Sequence, residues 1–342
     1  MKLLVKDIIK ETADAMTICL KNGNIFKKFK YKPGQFLTIN VPIDGVIQKR
    51  AYSFSSNPYT DKDLKITIKR VEKGLVSNYV HDHLKVGEKL KIDDPAGSFY
   101  IEPKKENQKQ YVLFAGGSGV TPMFSIAKSV LTQEPASKVL LIYANQTMES
   151  IIFHEEIKAL SAEYSNAFKV EHIISGNKTY KGNYHPGLAT KTLIDRIMIK
   201  HELTYGEHVY MICGPFGYME KIKEVLGENG ITRDKIKIEV FKSPTIKVSG
   251  KNLLADVTLK YNGEEHNFKV RGDKSILNQA MSQNIVIPYS CRSGMCSTCK
   301  GKCVEGEVQM TEGHILPEDE VANGSVLTCV TYPVSEKVVI EI

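Results

Sequence analysis

Residues 288–299 of the chain read PYSCRSGMCSTC and place three cysteines within nine residues. Four residues separate Cys291 from Cys296, two separate Cys296 from Cys299, and Cys329 follows after a further 29. This spacing is typical of a [2Fe–2S] cluster held by four thiolates. The four cysteines are therefore the predicted ligands of an iron–sulfur cluster.

Two other interpretations of these cysteines stay open at this point, a zinc site and a set of buried free thiols. A structural zinc ribbon takes two Cys-x2-Cys pairs, whereas this chain has one. Small residues such as Ser293 and Gly294 keep the loop compact, so backbone N–H groups can approach the sulfurs. Cys303 lies outside the pattern and is predicted to be a spectator thiol.

Length and composition indicate an ordinary folded protein with more than one domain. The chain has 342 residues, of which 42% are hydrophobic and 25% charged, and at roughly 150 residues per domain this length predicts two domains or three small ones. No apolar run approaches the roughly 18 residues of a membrane span. Asp7, Glu11 and Asp14 interrupt any signal sequence. We therefore expect a cytoplasmic protein.

Charge is distributed unevenly along the chain. Residues 253–342 carry 8 Lys and Arg against 12 Asp and Glu, while the preceding residues carry 38 against 27. Because the basic residues form no compact block, anionic small molecules are expected as partners rather than nucleic acid. An acidic stretch between the third and fourth cysteines contains Glu312, Glu318, Asp319 and Glu320. It is predicted to be a loop that steers a basic protein acceptor; the alternative is that its charges only keep the domain soluble.

The first and second thirds of the chain differ in their hydrophobic pattern. Up to about residue 103, short alternating runs at 37–41, 64–69 and 89–92 predict a small antiparallel β-barrel. Near-continuous apolar strands then alternate with helical patterns, which predicts an α/β domain with a parallel sheet. The predicted strands are 111–115, 139–143, 170–174 and 208–212, and the predicted helices are 123–131, 153–164, 191–200 and 217–226.

The remaining residues predict a third, α+β domain. A link containing Pro and Gly at 242–252 leads into a β-rich segment with one helix at 275–283 and the cysteine cluster. The predicted domains are thus a barrel at 1–103, a nucleotide-type domain at 104–241 and a cluster domain at 253–342, with the linker between the last two.

Two predicted strands end in glycine turns that lead into helices. The first turn reads GGSGVTP at 116–122 and the second is Cys213-Gly214-Pro215. Glycine lets a ligand approach the backbone, and the helix start leaves free N–H groups. Either turn alone could be purely structural. Two turns at the carboxyl ends of parallel strands predict a nucleotide crevice, with contacts from Gly117, Gly119, Thr121, Pro122, Gly214 and Pro215.

Residues 50–53 read Arg-Ala-Tyr-Ser and resemble the Arg-x-Tyr-Ser motif of the ferredoxin–NADP reductase superfamily. Residues 288–299 look like a plant-type ferredoxin, which implies a β-grasp fold for the last domain. The resemblance covers nearly the whole chain, in the order flavin barrel, nucleotide domain, ferredoxin. That order is similar to the branch containing the reductase subunit of phenylacetyl-CoA oxygenase and the NADH reductase of the hybrid cluster protein.

The resemblance implies roles for particular residues toward FAD. Arg50 would contact a flavin phosphate, while Tyr52 and Ser53 would pack on and hydrogen-bond the isoalloxazine. A second stretch, Gly74-Leu75-Val76-Ser77, would place Gly74, Val76 and Ser77 near the ribityl-phosphate.

Further residues are implied to act near the nicotinamide. The thiol of Cys213 would lie beside the nicotinamide C4. Glu239 and Phe241 resemble a terminal Glu-x-Phe in which the aromatic ring covers the flavin; a core role for Phe241 is the alternative. Together with Ser53, these three residues form the predicted catalytic set.

The resemblance implies that electrons pass from NAD(P)H through FAD to the [2Fe–2S] cluster and then singly to a protein acceptor such as an oxygenase component. NADH is favoured because 143–147 and 175–176 lack the arginines that relatives use for the 2′-phosphate, although Lys178 and Lys181 could substitute. Two alternatives stay open, a non-catalytic electron carrier with a nucleotide sensor and a direct reductase of small molecules.

Overall fold

The computed structural model describes residues 1–21, 29–176, 182–241, 253–311 and 313–342. They form two compact units, Met1–Glu239 and Val240–Ile342. The predicted linker at 242–252 lies outside the described residues. Within the described parts of the chain, no helix is both long and apolar enough to span a membrane.

An antiparallel barrel opens the first unit. Its elements are β1 (Lys2–Lys10), β2 (Ala15–Leu20), β3 (Phe36–Ile43), β4 (Val46–Ser53), β5 (Leu64–Lys69), α1 (Leu75–His83) and β6 (Lys89–Ile92). The strands pair in the order β4-β3-β6-β1-β2-β5. A bridge between Phe54, just after β4, and Ile66 of β5 brings the two edges together. The predicted antiparallel barrel is confirmed, and its apolar core contains Ile39 and Ile66.

The second part of this unit is a parallel sheet with helices on its faces. Its elements are β7 (Gln110–Gly116), α2 (Val120–Gln133), β8 (Lys138–Asn145), α3 (His154–Glu163), β9 (Phe168–Ile174), β10 (Tyr184–Pro186), α4 (Lys191–Lys200), β11 (Val209–Cys213), α5 (Phe216–Glu228) and β12 (Ile236–Glu239). All five pairings are parallel, in the order β10-β9-β8-β7-β11-β12. Both faces are covered, which explains why these strands read as continuous apolar runs.

The strand order of this sheet reverses between β7 and β11. From β7 the chain proceeds outward through β8, β9 and β10, then returns to add β11 and β12 on the other side. Such a switch point leaves a crevice at the carboxyl ends of the two central strands, where α/β sheets bind ligands. The glycine turns at 116–119 and 213–215 lie at this edge.

The second unit has the predicted α+β composition. Its elements are β13 (Leu254–Tyr261), β14 (Glu264–Arg271), α6 (Ile276–Ser282), β15 (Lys300–Glu305), β16 (Val308–Met310), α7 (Glu318–Ala322), β17 (Ser325–Leu327), β18 (Thr331–Pro333) and β19 (Lys337–Glu341). Five strands form a sheet in the order β14-β13-β19-β15-β17, in which β13 and β19 are parallel. Helix α6 buries Ile276, Leu277 and Ala280 in the core of this unit.

The prediction of one helix in this segment is wrong, because the acidic stretch also forms the short helix α7. Pro317 precedes the helix, and its first turn contains Glu318, Asp319 and Glu320. Carboxylates are favourable there because a helix N-terminus carries partial positive charge. The predicted acidic loop is therefore partly helical, and Glu312 lies outside the described residues.

Candidate functional site

The two glycine turns meet at the switch point of the parallel sheet. Cys213 at the end of β11 lies opposite Ala115 of β7 in the strand register. A Cβ on Gly119 would lie 2.1 Å from the carbonyl oxygen of Cys213, and a Cβ on Gly214 would lie 3.0 Å from the Cα of Gly116. Only residues without a side chain allow this approach. The structure thus brings the two predicted nucleotide turns together.

The first turn presents an open backbone surface. Gly117 has φ +50°, and no described atom outside its neighbours lies within 4 Å of a Cβ built on it. The Thr121 hydroxyl donates to the carbonyl of Ser118 at 3.0 Å, and Pro122 lies in the first turn of α2, where a missing N–H costs nothing. A phosphate at this helix start would meet free N–H groups.

Tyr143 supports this turn from beneath, a role that its position in a strand pattern did not indicate. Its hydroxyl donates to the carbonyl of Gly117 at 3.1 Å and accepts from the N–H of Ile152 at 3.2 Å. Burial raises the pKa of Tyr143, so the phenol stays protonated. The side chain therefore fixes the carbonyl of a residue that has an unusual backbone angle.

Tyr218 holds the two turns against each other, and the sequence motifs missed it as well. Its ring lies 3.1 Å and 3.0 Å from the Cβ positions of Gly116 and Gly214. Its hydroxyl donates to the carbonyl of Ile142 at 3.4 Å. A tyrosine three residues after Pro215, in the first turn of α5, is the signal that could have found it.

Cys213 and Glu239 lie side by side at the ends of β11 and β12. They are register partners, and both are buried. Burial raises the pKa of the Cys213 thiol well above its usual range, and the carboxylate of Glu239 adds to the shift. The side chain of Cys213 belongs to the apolar core of the sheet, so its contact with a nicotinamide stays a prediction. Phe241 is 42% exposed and belongs to the second unit; its position over a flavin also stays a prediction.

The Arg-Ala-Tyr-Ser motif occupies the end of β4. Ser53 is 2% exposed, and its hydroxyl oxygen has no hydrogen-bond partner among the described residues. A buried hydroxyl is normally hydrogen-bonded, so this one is suited to an acceptor on a bound ligand. Burial raises the pKa of Tyr52 to about 12 despite the opposing charge of Arg50. The Arg50 guanidinium donates to the carbonyl of Lys49 at 2.7 Å.

The second predicted flavin stretch forms the N-terminus of α1. Val76 and Ser77 lie in its first turn and are buried. A Cβ on Gly74 would lie 2.5 Å from the Ser77 hydroxyl and 2.9 Å from the carbonyl of Val71. The position therefore requires glycine, and the start of the helix is suited to an anionic group.

The four predicted cluster ligands form one linked group of thiols. Hydrogen bonds from Cys296 and Cys329 lower the pKa of Cys291, and a hydrogen bond with Cys329 lowers that of Cys299. Within the described ranges, no set of three or more His, Cys, Asp or Glu side chains is arranged for a metal ion. Four thiolates are the donor set of a [2Fe–2S] cluster, and the role of these four cysteines as its ligands stays a prediction. Cys303 lies apart, with its thiol directed to the carbonyl of Glu305.

Backbone N–H groups already converge on one of these sulfurs. The N–H groups of Ser293 and Met295 donate to Cys291 Sγ at 3.4 Å and 3.3 Å. Arg292 has φ +59°, and its guanidinium donates to the Asn278 side chain of α6 at 2.5 Å. This contact ties the ligand loop to the core helix of the unit.

Three family models match consecutive parts of the chain. They describe an oxidoreductase FAD-binding domain at residues 2–101, an oxidoreductase NAD-binding domain at 113–224 and a 2Fe-2S iron-sulfur cluster binding domain at 259–334. The chain is also 32% identical to the ferredoxin reductase component of 3-ketosteroid-9-alpha-monooxygenase of Rhodococcus rhodochrous, over 99% of this chain and 96% of that protein. The chain belongs to the ferredoxin–NADP reductase type of flavoprotein with a C-terminal [2Fe–2S] domain.

Two further comparisons agree with this assignment. The reductase is 31% identical to one of the subunits of 1,2-phenylacetyl-CoA epoxidase of Escherichia coli (strain K12), over 99% of this chain and 96% of that protein. Phthalate dioxygenase reductase has the same fold, with a TM-score of 0.64 and 21% identity over 100% of this chain and 98% of that one. The predicted family, multidomain fold and oxidoreductase class are confirmed, together with the FAD, NAD and [2Fe–2S] domains.

The side chains of the reductase fit the three groups that its domains imply. The buried Ser53 hydroxyl is a hydrogen-bond donor that suits an acceptor atom of the flavin. The glycine crevice suits a dinucleotide, and the four linked thiols suit the cluster. When bound, FAD supplies the change from two-electron chemistry at the nicotinamide to one-electron chemistry at the cluster. The protein contributes position, burial and hydrogen bonds.

A methyl group on Gly119 should disturb the crevice. In Gly119→Ala the new carbon would lie 2.1 Å from the Cys213 carbonyl oxygen, so the two turns must separate, at a cost of about 1–3 kcal/mol. We expect KM for NADH, measured with ferricyanide as acceptor, to rise about tenfold or more. The control is Gly227→Ala on α5, where a Cβ meets nothing within 4 Å. A wild-type KM in Gly119→Ala would contradict the close approach.

Removing one sulfur should remove the cluster. Cys296→Ser replaces a thiolate ligand with a hydroxyl, so iron content and cytochrome c reduction should be lost while ferricyanide reduction by the flavin persists. Iron analysis and visible absorbance measure the result. Cys303→Ser is the matched control and should keep its iron. Full iron content in Cys296→Ser would remove this cysteine from the ligand set.

Proposed function

We propose that this reductase takes electrons from NADH and delivers them one at a time to the oxygenase component of a multicomponent system. The observation that carries the proposal is the linked group of four thiols in a chain that also has a flavin motif and a dinucleotide crevice. Two relatives named above are the ferredoxin reductase component of a monooxygenase and a subunit of an epoxidase, which supports an oxygenase as the acceptor.

We assign the flavin to the end of β4 and the start of α1. Arg50 would neutralise a flavin phosphate, Tyr52 would pack on the isoalloxazine, and Ser53 would donate its hydroxyl to the ring. The free amides at the start of α1, near Val76 and Ser77, would bind the ribityl-phosphate. The buried hydroxyl of Ser53, which has no hydrogen-bond partner in the described parts of the chain, supports this assignment.

We assign the dinucleotide to the crevice between β7 and β11. Backbone N–H groups around Gly117, Gly119 and Thr121 would bind the pyrophosphate. The second turn would receive the nicotinamide, with Cys213 and Glu239 packed behind it. Phe241 would cover the flavin from the chain segment that follows β12.

The preference for NADH rests on the absence of arginine side chains that would bind the 2′-phosphate of NADPH. The segments 143–147 and 175–176 contain no arginine, and each charged hydrogen bond to a 2′-phosphate is worth about 1.5–3 kcal/mol. Lys178 and Lys181, which could replace them, lie outside the described residues.

The proposal includes the boundaries 1–103, 104–241 and 253–342 for the three domains. It also places the protein in the cytoplasm, where thiol ligands stay reduced, and gives it no nucleic-acid partner. Glu318 and Asp319 are exposed on α7, which favours an acceptor with a basic docking face.

The decisive experiment mixes NADH or NADPH anaerobically with the reductase containing FAD and cluster. We expect both the flavin and the iron–sulfur absorbance bands to bleach. NADH should be at least about tenfold more effective per mole than NADPH, a ratio that corresponds to the free energy of about one charged hydrogen bond. Absorbance bands that do not change would indicate the alternative function, a non-catalytic electron carrier with a nucleotide sensor. Unchanged turnover of the cluster-free Cys296→Ser variant with the physiological acceptor would indicate a direct reductase of small molecules.

Cys213→Ala tests the role of the buried thiol. If the thiol holds the nicotinamide in place, the limiting rate of flavin reduction should fall by up to about 100-fold, because misplacement by about 1 Å has such an effect. Stopped-flow absorbance measures this rate, and the Kd for NADH should change little. Cys19→Ala is the control, since Cys19 is a buried cysteine of β2 in the barrel. A wild-type rate would leave Cys213 a core residue.

A further inference from the structure

Polar side chains form part of the contact between the barrel and helix α2. The segment just after β4 buries Ser56 and Asn57, and the facing side of α2 buries Ser125 and Ser129. Contacts between layers are normally apolar, so a fully buried polar contact has to be hydrogen-bonded throughout. We call this contact the polar seam; it consists of Ser56, Asn57 and Asp61 on the barrel side and Ser125, Lys128, Ser129 and Thr132 on the helix.

Asn57 is the centre of the polar seam. Its side-chain N–H groups donate to the carbonyl of Lys128 at 3.1 Å and to the hydroxyl of Thr132 at 3.0 Å. Its side-chain oxygen accepts from the N–H of Tyr59 at 3.0 Å and lies 3.3 Å from the Ser129 hydroxyl, whose one proton also has the carbonyl of Ser125 as an acceptor at 2.8 Å. Both N–H donors of the amide are therefore used, and its oxygen accepts at least one hydrogen bond.

Two further contacts extend the polar seam on either side. The Ser125 hydroxyl donates to the carbonyl of Ser56 at 2.6 Å. Lys128 forms an ion pair with Asp61 at 3.0 Å, and the same carboxylate oxygen accepts from the N–H of Asn57 at 2.9 Å. An arrangement shifted along the helix would leave several of these groups unsatisfied, at about 1–3 kcal/mol each.

Each side of the polar seam continues directly into a cofactor motif. Ser56 follows Ser53 by three residues, and Ser125 follows Val120, the first residue of α2, by five. At about 1.5 Å per helical residue, the seam lies only some 7–8 Å along α2 from the glycine turn. A sliding of the helix on the barrel would therefore move the turn relative to the end of β4.

We propose that the polar seam fixes the position of the nicotinamide crevice relative to the flavin-binding strand end, with Asn57 as the principal positioning residue. The proposal rests on the proposed function and adds residues that touch neither cofactor. Apolar contact alone tolerates sliding, whereas a set of buried directional hydrogen bonds is satisfied in one arrangement. Electron transfer from the nicotinamide is sensitive to such shifts, because about 1 Å of misplacement can cost about 100-fold in rate.

Two variants weaken the polar seam in different ways. Asn57→Ala removes the central amide. The double variant Ser125→Ala, Ser129→Ala removes two hydroxyls with little change in volume, so it tests the proposal even if Asn57→Ala fails to fold. Ser161→Ala is the matched control, because the Ser161 hydroxyl of α3 bonds to Phe168 within the nucleotide sheet at 3.5 Å.

The first measurement is anaerobic flavin reduction by NADH and by NADH deuterated at C4. In the seam variants we expect the limiting rate to fall about 10- to 100-fold and the isotope effect to rise, while the Kd for NADH and the FAD content stay within about twofold of wild type. Ser161→Ala should match wild type. A role confined to stability would instead lower the FAD content and the amplitude of the absorbance change, and leave the limiting rate and the isotope effect at their wild-type values.

The second measurement is amide hydrogen exchange of the protein without added nucleotide. Seam variants should exchange faster at 54–61 and within α2, and at the wild-type rate in the remainder of the barrel and sheet. Wild-type rate and isotope effect in a folded seam variant would overturn the proposal. Failure of NADH to reduce the wild-type flavin would instead overturn the proposed function, and the exchange measurement would still report on the polar seam.

Discussion

The carbonyl oxygen of Cys213 occupies the space in which a side chain at Gly119 would begin. This contact joins the start of α2 to the end of β11, so the two central strands of the parallel sheet present their turns at one edge. Tyr143 and Tyr218 then hold the turns from below and from the side. Gly117, beside these tightly packed glycines, faces open space.

Helix α2 connects the glycine turns to the barrel. Its N-terminus faces the crevice, and its apolar side packs on the sheet. Its polar side is hydrogen-bonded to the segment after β4, and its C-terminal end is anchored by the buried carboxylate of Glu134, which accepts from Tyr111, Asn107 and Ser137. One helix therefore contacts the first glycine turn, the core of the sheet and the segment after β4.

Local sequence patterns predicted the features that depend on residues close together in the sequence. The cysteine spacing identified four thiols that prove to be linked, and the change from alternating to continuous apolar runs separated the barrel from the parallel sheet. The side chains that hold the glycine turn and the polar seam in place were not predictable in this way. Tyr143 contacts Gly117, which is 26 residues away in the sequence, and Asn57 contacts Lys128, which is 71 residues away. No local sequence pattern predicts these contacts. Helix α7 was missed because a five-residue acidic helix after a proline has no apolar period to read.

The position of the switch point also affects how the molecule is made. The chain completes β7 at Gly116, but β11 begins only at Val209. Until the ribosome has added the intervening residues, one edge of β7 has no strand beside it, and its apolar side chains lie next to unpaired backbone groups. Such edges favour pairing with other chains. The same strand order that creates the crevice therefore leaves the nascent protein open to aggregation at the strand on which the crevice is later built.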